Sequence, residues 1–487
     1  LRRDQAISAT LWSGADLFMR QGLSFVISVV LARLITPQEF GTVALLAMFT
    51  GIASAFVDSG FSAALIQRQD TTHAEESTVF WFNLGLGALT ALLLWLCAPW
   101  IARFYQVDVL VPLCGAFAFN MFVSAAGAIH GTLLTKRLEF RLQMKVGVVA
   151  STVSGVVAVV MAAYDCGIWA LAAQTIVATL ITTLLLWCWN PWRPAWTFEL
   201  AAARKLFGFG SYMLASGLLD VLYNRLYTVL IGKLYGPRDL AFYNRAEGTK
   251  QLPVGLLTGV LSRVAFPIFS SAAGDVPQLR RGVQLALRGM MLINVPMMLG
   301  LAAVAEPLVL TLFGAQWSAA IRVLQILCLG GVFWPLHVIN LNVLIAQGQS
   351  RLFFRLEILK KLIGFPLLAA GTFWGVIGIA WVSVAFAALA FVINSHYTER
   401  FLSYGLQQQV RDFLPVVAIS APMAYASWWV STSIHTVSAL RLAAGTGTGV
   451  VAFIASAWLF RLSAFHDAIT MMRGFLAKTR TAEAARA

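Results

Sequence analysis

The chain has 487 residues, 59% of them hydrophobic and only 11% charged, with a mean hydropathy of +0.78; a soluble domain carries about 25% charged residues. Apolar runs long enough to cross about 30 Å of hydrocarbon as helix follow one another from Ile7 to Phe460, which excludes a soluble globular protein and points to an all-α polytopic membrane protein. Barrels need short alternating segments instead, and the net charge of +14 is spread along the chain as a topology signal, not as a nucleic-acid surface.

In chain order, the predicted spans are 8–33, 40–66, 77–104, 108–134, 141–163, 167–189, 206–233, 240–269, 284–313, 320–346, 353–373, 376–398, 412–431 and 440–460. That makes fourteen, with 12 as the alternative count. They group as a six-helix lobe over 1–195, a second over 196–402 and two additional spans within 403–462. A basic amphipathic tail over 463–487 is expected on the membrane surface. With the N-terminus inside, the cytoplasmic side collects 24 of the 35 Lys and Arg and the outer side six, so both termini are predicted to be cytoplasmic. The first span lacks a small-residue cleavage pattern and is read as an uncleaved insertion signal. The five cysteines have no C-x-x-C spacing and read as apolar filler. The longest hydrophilic connections, Asn190–Lys205 and Thr398–Asp412, are too short for a soluble catalytic module.

Between the first two spans stands "ARLITPQEFG" (Ala32–Gly41), and "GKLYGPRDLA" (Gly232–Ala241) repeats its pattern 200 residues later. Further along each half, "KRLEFRLQMK" (Lys136–Lys145) is echoed by "SRLFFRLEILKK" (Ser350–Lys361) at an offset of 214, pairing Arg137 with Arg351 and Arg141 with Arg355. Six spans separate each feature from its echo. An even number returns the chain to the same side, so the halves are parallel repeats related by an axis along the membrane normal. Two similar bundles that rock can expose one site to either face in turn, which makes transport the first functional expectation.

A charge at the bilayer centre costs about 2.5–3.5 kcal/mol on insertion scales, so charges inside spans normally face a protein interior or a cavity. Asp16 and Arg20 share one face of the first span, and Asp58 lies in the second. Asp220 and Arg225 lie in the seventh, and Arg245, Glu247, Lys250 and Arg263 in the eighth. Arg20, Asp220, Arg225, Lys250 and Arg263 are the candidate substrate-binding residues. Their cations stand at several depths, and the guanidinium fork suits diphosphate oxygens. Asp16 and Asp58 are candidates for a coupling proton or monovalent cation; no other cofactor and no metal site is expected, since the six His form no ligand cluster and His130 and His337 read as packing residues. The competing reading is neutralisation, Asp16 with Arg20, Glu247 with Lys250 or Arg245, and Asp220 with a neighbour. The basic segments Lys136–Lys145 and Arg351–Lys361 read as topology determinants at the cytoplasmic entrances. "GAIHG" (Gly127–Gly131) and "GLLTG" (Gly255–Gly259) are close-packing patterns, and Trp187, Trp189, Trp192 and Trp196 form an inner aromatic belt. No phosphate loop of the G-x-x-x-x-G-K-[ST] type is present, which argues against an ATPase pump.

A span followed by "LARLITPQEFG", and a second span containing "GIASAFVDSGFSAALIQR", resembles the Wzx-type polysaccharide flippases, in particular their WzxC-like branch. They belong to the multidrug/oligosaccharidyl-lipid/polysaccharide (MOP) exporter superfamily. The resemblance implies two MATE-like six-helix lobes, often with two extra C-terminal helices, around a central cavity. It implies a transporter, not an enzyme, in the bacterial cytoplasmic (inner) membrane. Its cargo would be undecaprenyl-diphosphate-linked oligosaccharide repeat units for exopolysaccharide, capsule or O-antigen synthesis. The partners to expect are that lipid-linked oligosaccharide, membrane lipids, a polysaccharide polymerase and a chain-length regulator, and no nucleic acid. The alternatives are a lipid II flippase, a cation-coupled multidrug antiporter of the same superfamily and, from other classes, a membrane glycosyltransferase or polymerase or an assembly scaffold.

Overall fold

The computed structural model describes residues 19, 21–57, 62, 65–66, 71–199, 217–218, 221–272 and 274–460. Among them every regular element is helical, and helix occurs in each of the fourteen predicted spans. Ten stretches of the described residues are long and apolar enough to cross a membrane, one of them, Arg351–Leu402, being two predicted spans joined through a short turn. The tail over 463–487 lies outside the described residues. Large apolar side chains such as Leu92, Leu93, Trp95, Leu96 and Trp100 stand exposed along one helix, as side chains facing hydrocarbon do. The chain divides into two compact units, Leu1–Ala241 and Phe242–Ala487.

In the first unit, α1 (Gln21–Leu34) is stopped by the Ile35–Thr36 turn before α2 (Pro37–Leu45) and α3 (Ala47–Val57). Sequence chemistry dictates the turn. Thr36 is the N-cap, Pro37 supplies a preset φ at a position whose N–H has no helical partner, and Glu39 returns a bond to the Thr36 N–H at 2.9 Å, completing a capping box. Then follow α4 (His73–Tyr105), α5 (Leu110–Lys136), α6 (Phe140–Ala163), α7 (Ile168–Trp189) and α8 (221–234). The longest of these, α4, has 33 residues and is about 50 Å long. Gly87 brings α4 against α5: a Cβ there would lie 2.3 Å from that of Ala125. Of the predicted close-packing glycines, Gly127 alone packs against a neighbour, a Cβ there falling 2.7 Å from Thr183 Oγ1 on α7, whereas Gly131, Gly255 and Gly259 face open space.

The boundary between the units falls within α9 (Pro237–Ser271). The second unit continues with α10 (Val276–Ala303), α11 (Ala305–Leu312), a single 3-10 turn, α12 (Ala320–Gly331), α13 (Trp334–Ala346), α14 (Ser350–Gly371), α15 (Gly375–Leu402), α16 (Leu406–Ser433) and α17 (Ser438–Leu459). The stripe Leu279, Val283, Leu287, Met291, Val295 and Met298 on α10 forms its core with Leu336, Ile339 and Val343 of α13 and Val416 and Ile419 of α16. The tenth predicted span is broken between α12 and α13. There the Asn294 amide donates to the Gly331 and Val332 carbonyls at 3.1 and 3.2 Å, satisfying backbone groups that hydrocarbon would leave bare.

The repeated hairpins share their backbone bonds at an offset of 200. The N–H of Ile35 donates to Leu31 O at 2.8 Å and that of Tyr235 to Ile231 O at 2.9 Å; Phe40 donates to Thr36 O at 3.2 Å and Leu240 to Gly236 O at 3.3 Å. Gly236, at φ 89, takes the place of Thr36. The second repeat differs in register from the predicted 214. Both turns have a left-handed residue, Leu138 at φ 59 and Gly348 at φ 70, and both close with a bond five residues back, Glu139 to Leu134 and Gln349 to Leu344. This puts the offset at 210 and aligns Arg141-Leu142 with Arg351-Leu352 and Lys145 with Arg355. A four-residue slip rotates a helix by only about 40°, so an amphipathic sequence matches itself nearly as well one turn out of place.

Candidate functional site

The α8 helix descends from the second hairpin, and Arg225 lies ten residues from Tyr235, about 15 Å down a helix, near mid-depth. Its neighbour is Gly51 on α3: a Cβ at Gly51 would stand 3.1 Å from Val221 Cγ1 and 3.7 Å from Arg225 Nε. The missing side chain at Gly51 thus leaves room for the guanidinium, which remains exposed. At the start of α6 in the same unit, Arg141 and Lys145 are four residues apart and line a cleft of ≈320 Å³ with Glu139 and Leu142.

In the second unit, α9 carries its cations in two different ways. The Arg245 guanidinium lies over the Phe313 and Trp317 rings, 4.8 and 4.7 Å from their centroids, an arrangement in which ring quadrupoles offset part of the lost hydration. Lys250 Nζ pairs with Glu247 Oε2 at 2.7 Å, and its stem runs past Gly331 of α12, 3.5 Å from where a Cβ would be. From Pro237, Arg245 and Lys250 lie about 12 and 20 Å along the helix. Arg263 belongs to α9 by its backbone, and its side chain lies outside the described residues, as do Asp16, Arg20, Asp58 and Asp220 entirely. Of the predicted site residues, Arg225 and Lys250 therefore have described side chains, and they belong to different units.

Sequence reasoning missed a polar network within the second unit. Lys360, counted from sequence among the cytoplasmic loop charges, sits inside α14 at 2% exposure and pairs with Glu357 one turn earlier. The Asn394 amide donates to His337 Nδ1 at 2.9 Å. Asn340 and Gln409 exchange amide bonds at 3.0 and 2.9 Å, and Gln409 also donates to Tyr404 O at 3.1 Å. Asp412 accepts from the Tyr404 hydroxyl at 2.7 Å and from Arg288 at 2.6 Å. Burial first, and the bond to Asp412 second, push the Tyr404 phenol above its usual range. The network ties α16, and with it the C-terminal helix pair, to α10 and α13. The E-x-x-K spacing of Glu357 and Lys360 was its one local signal; the amide partners are too far apart in sequence to leave one. What the described residues offer is cations in each unit, Arg225 in the first and Arg245 and Lys250 in the second, and cations can hold an anion without covalent chemistry.

Residues 30–322 match the family model described as polysaccharide biosynthesis protein. The chain is 28% identical over 460 residues to the teichuronic acid biosynthesis protein TuaB of Bacillus subtilis (strain 168), covering 92% of this chain and 94% of that protein. It is 27% identical over 440 residues to the lipopolysaccharide biosynthesis protein WzxC of Escherichia coli (strain K12), covering 86% and 87%. Among solved structures, the lipid II flippase MurJ in its inward closed conformation shares the fold, with a TM-score of 0.73 and 14% identity over 94% of this chain and 100% of that one.

Proposed function

This chain belongs to the polysaccharide biosynthesis protein family, as a Wzx-type member of the MOP superfamily, and on that premise we propose that it flips undecaprenyl-diphosphate-linked oligosaccharide repeat units across a bacterial inner membrane. The repeat unit enters from the cytoplasmic leaflet and leaves in the periplasmic one, by alternating access of two lobes. The observation that carries this reading is the duplicated hairpin, with the same turn and the same bonds at an offset of 200, in a family of polysaccharide biosynthesis proteins. Halves built alike can present one polar path to each face in turn. Arg225, exposed at mid-depth, offers the diphosphate two parallel N–H donors. Lys250, already engaged by Glu247, holds it more weakly, so the cargo is passed on and not trapped. Both termini are cytoplasmic in this reading, and the exported unit goes to a polymerase and a chain-length regulator.

Deleting the gene in its host tests the proposal, with complementation by wild type and by Arg225→Ala. Deletion should leave lipid-linked repeat units accumulating in the cytoplasmic leaflet and abolish surface polymer. Arg225→Ala should restore about a tenth of wild-type output, the loss of one charge-assisted bond of about 1.5 kcal/mol, at unchanged protein abundance by immunoblot. Normal polymer in the deletion strain would sink the function, and growth arrest with loss of cell-wall precursor export would point to lipid II instead. Full output from Arg225→Ala removes that residue from the path.

A further inference from the structure

The interior of the first unit contains a histidine that the transport path described above does not use. Two contacts set its surroundings: the Thr183 hydroxyl donates to Val123 O at 3.2 Å and Trp187 Nε1 to Ala126 O at 3.0 Å, binding α7 along α5. One turn nearer the cytoplasm, α5 presents His130. The antiparallel α4, whose register is fixed by Gly87 against Ala125, brings Asn83 to the same level. Both side chains are at 0% exposure. Among the described residues, neither ring nitrogen of His130 and neither amide atom of Asn83 has a hydrogen-bond partner. The imidazole is caged by indoles, with centroids 4.9 Å from Trp187 and 5.4 Å from Trp192, and Phe80 packs on both at 6.0 and 6.1 Å.

A side chain kept only to fill this space would be apolar, since a buried polar group without a partner is costly and native proteins rarely retain one. Two such groups on neighbouring helices, one of them basic and packed against two indoles, one tilted and one edge-to-face, make a site for a small cation. A proton is the cation that an imidazole can take. We propose that His130 is a proton-binding site of the first unit, its imidazolium held against the rings of Trp187 and Trp192. The step balances: the lone pair of one ring nitrogen accepts a proton from a hydronium ion, whose O–H bond breaks to leave water, and on release the N–H bond breaks and the proton returns to water.

The cytoplasmic cover of this site is a strap, residues 190–199. Trp192 Nε1 donates to Glu76 Oε2 at 2.8 Å, the Ala195 N–H to Ser77 Oγ at 3.0 Å, the Glu199 N–H to Thr78 Oγ1 at 3.1 Å, and Trp81 Nε1 to Ala195 O at 2.9 Å. Arg193 donates to the carbonyls of Trp187 and Trp192, each at 2.7 Å, and lies 5.7 Å from the centroid of the Trp187 ring that His130 also touches. A proton on His130 therefore sets two cations against one indole and loosens the strap. The other charged or titratable groups facing the site are few. From α4 come Glu76, held by Trp192, and His73, whose ring lies 5.8 Å from it; Glu75 is engaged in the α4 capping box. The inner end of α6 brings Arg141 and Lys145, α5 itself brings Lys136 bonded to Thr71, α7 contributes only Cys188 and α3 none.

The role of this proton in driving export rests on the flippase reading, whereas its binding does not, and intrinsic tryptophan emission separates the two. An imidazolium against an indole quenches it, so the purified full-length protein in detergent should show an acid quenching step. The step should be lost in His130→Asn, or in His130→Gln should the first variant fail to fold, and retained in His73→Gln. A step that survives both His130 variants, or that disappears with His73, overturns the proposal. In proteoliposomes containing a fluorescent polyprenyl-diphosphate disaccharide, an imposed pH gradient should speed wild-type movement and fail to speed His130→Asn. Acceleration retained in the variant contradicts the coupling role; no movement by wild type at all contradicts the flippase reading and leaves the emission result to judge the site.

Discussion

Asn340 and Gln409 show how single side chains hold this membrane protein together. Both are at 0% exposure, and each side-chain oxygen accepts from the other's amide nitrogen, so removing one leaves the other's oxygen without its donor in a medium that offers no water. Asn340→Ala or Gln409→Ala should each cost about 1–3 kcal/mol, and the double variant less than their sum, in unfolding measured in detergent; additive losses would mean that the pair does not couple. At this scale the sequence reads unevenly. Arg225 and Lys250 are conspicuous because a charge interrupts an apolar run, and the Glu247–Lys250 alternative was visible in their spacing. Lys360 was hidden because its neighbour Lys361 and the preceding arginines make the segment look like a loop. An amide pair 69 residues apart leaves no local pattern at all.

The hairpin is the element whose chemistry is most fully local, which is why the sequence discloses it. Proline at the helix start and an acidic residue two positions on specify the turn twice, at Pro37 and Pro237. The two copies also meet, because a Cβ on Gly41 would fall 1.6 Å from the Pro237 carbonyl oxygen. That atom is backbone and cannot swing aside. Gly41→Ala should therefore destabilise the protein by about 1–3 kcal/mol, seen as a lowered melting midpoint in detergent. Gly131→Ala, facing open space, should be neutral or slightly stabilising, since alanine is the better helix former. Equal midpoints for the two variants would refute the close approach. The break between α12 and α13 was illegible for the opposite reason: it depends on Asn294, 37 residues away from Gly331, and the Gly330, Gly331 and Pro335 beside it are residue types that continuous membrane helices also tolerate. The register of the second repeat was read one turn out because helical periodicity, unlike a proline, repeats.

For the whole molecule, composition alone disclosed the all-α membrane class, because hydrocarbon admits few alternatives, and the repeated hairpins disclosed the duplicated plan. The candidate site was legible only as a set of charges. Which of them share a path depends on packing that no single span encodes. The strap over 190–199 was read as a hydrophilic connection with belt tryptophans, whereas its tryptophans and arginine bind it to α4 and α7. The central claim is movement of a diphosphate-linked saccharide between leaflets, and the most direct measurement is made on the purified protein alone. Proteoliposomes are loaded with a fluorescent polyprenyl-diphosphate oligosaccharide, and the fraction that membrane-impermeant dithionite can bleach is followed. A flippase makes the inner-leaflet half accessible, so bleaching should pass from about one half toward completion with wild type and slow about tenfold with Arg225→Ala, as a lost charge-assisted bond of about 1.5 kcal/mol requires. Bleaching that stops at one half, as in protein-free vesicles, would contradict the account.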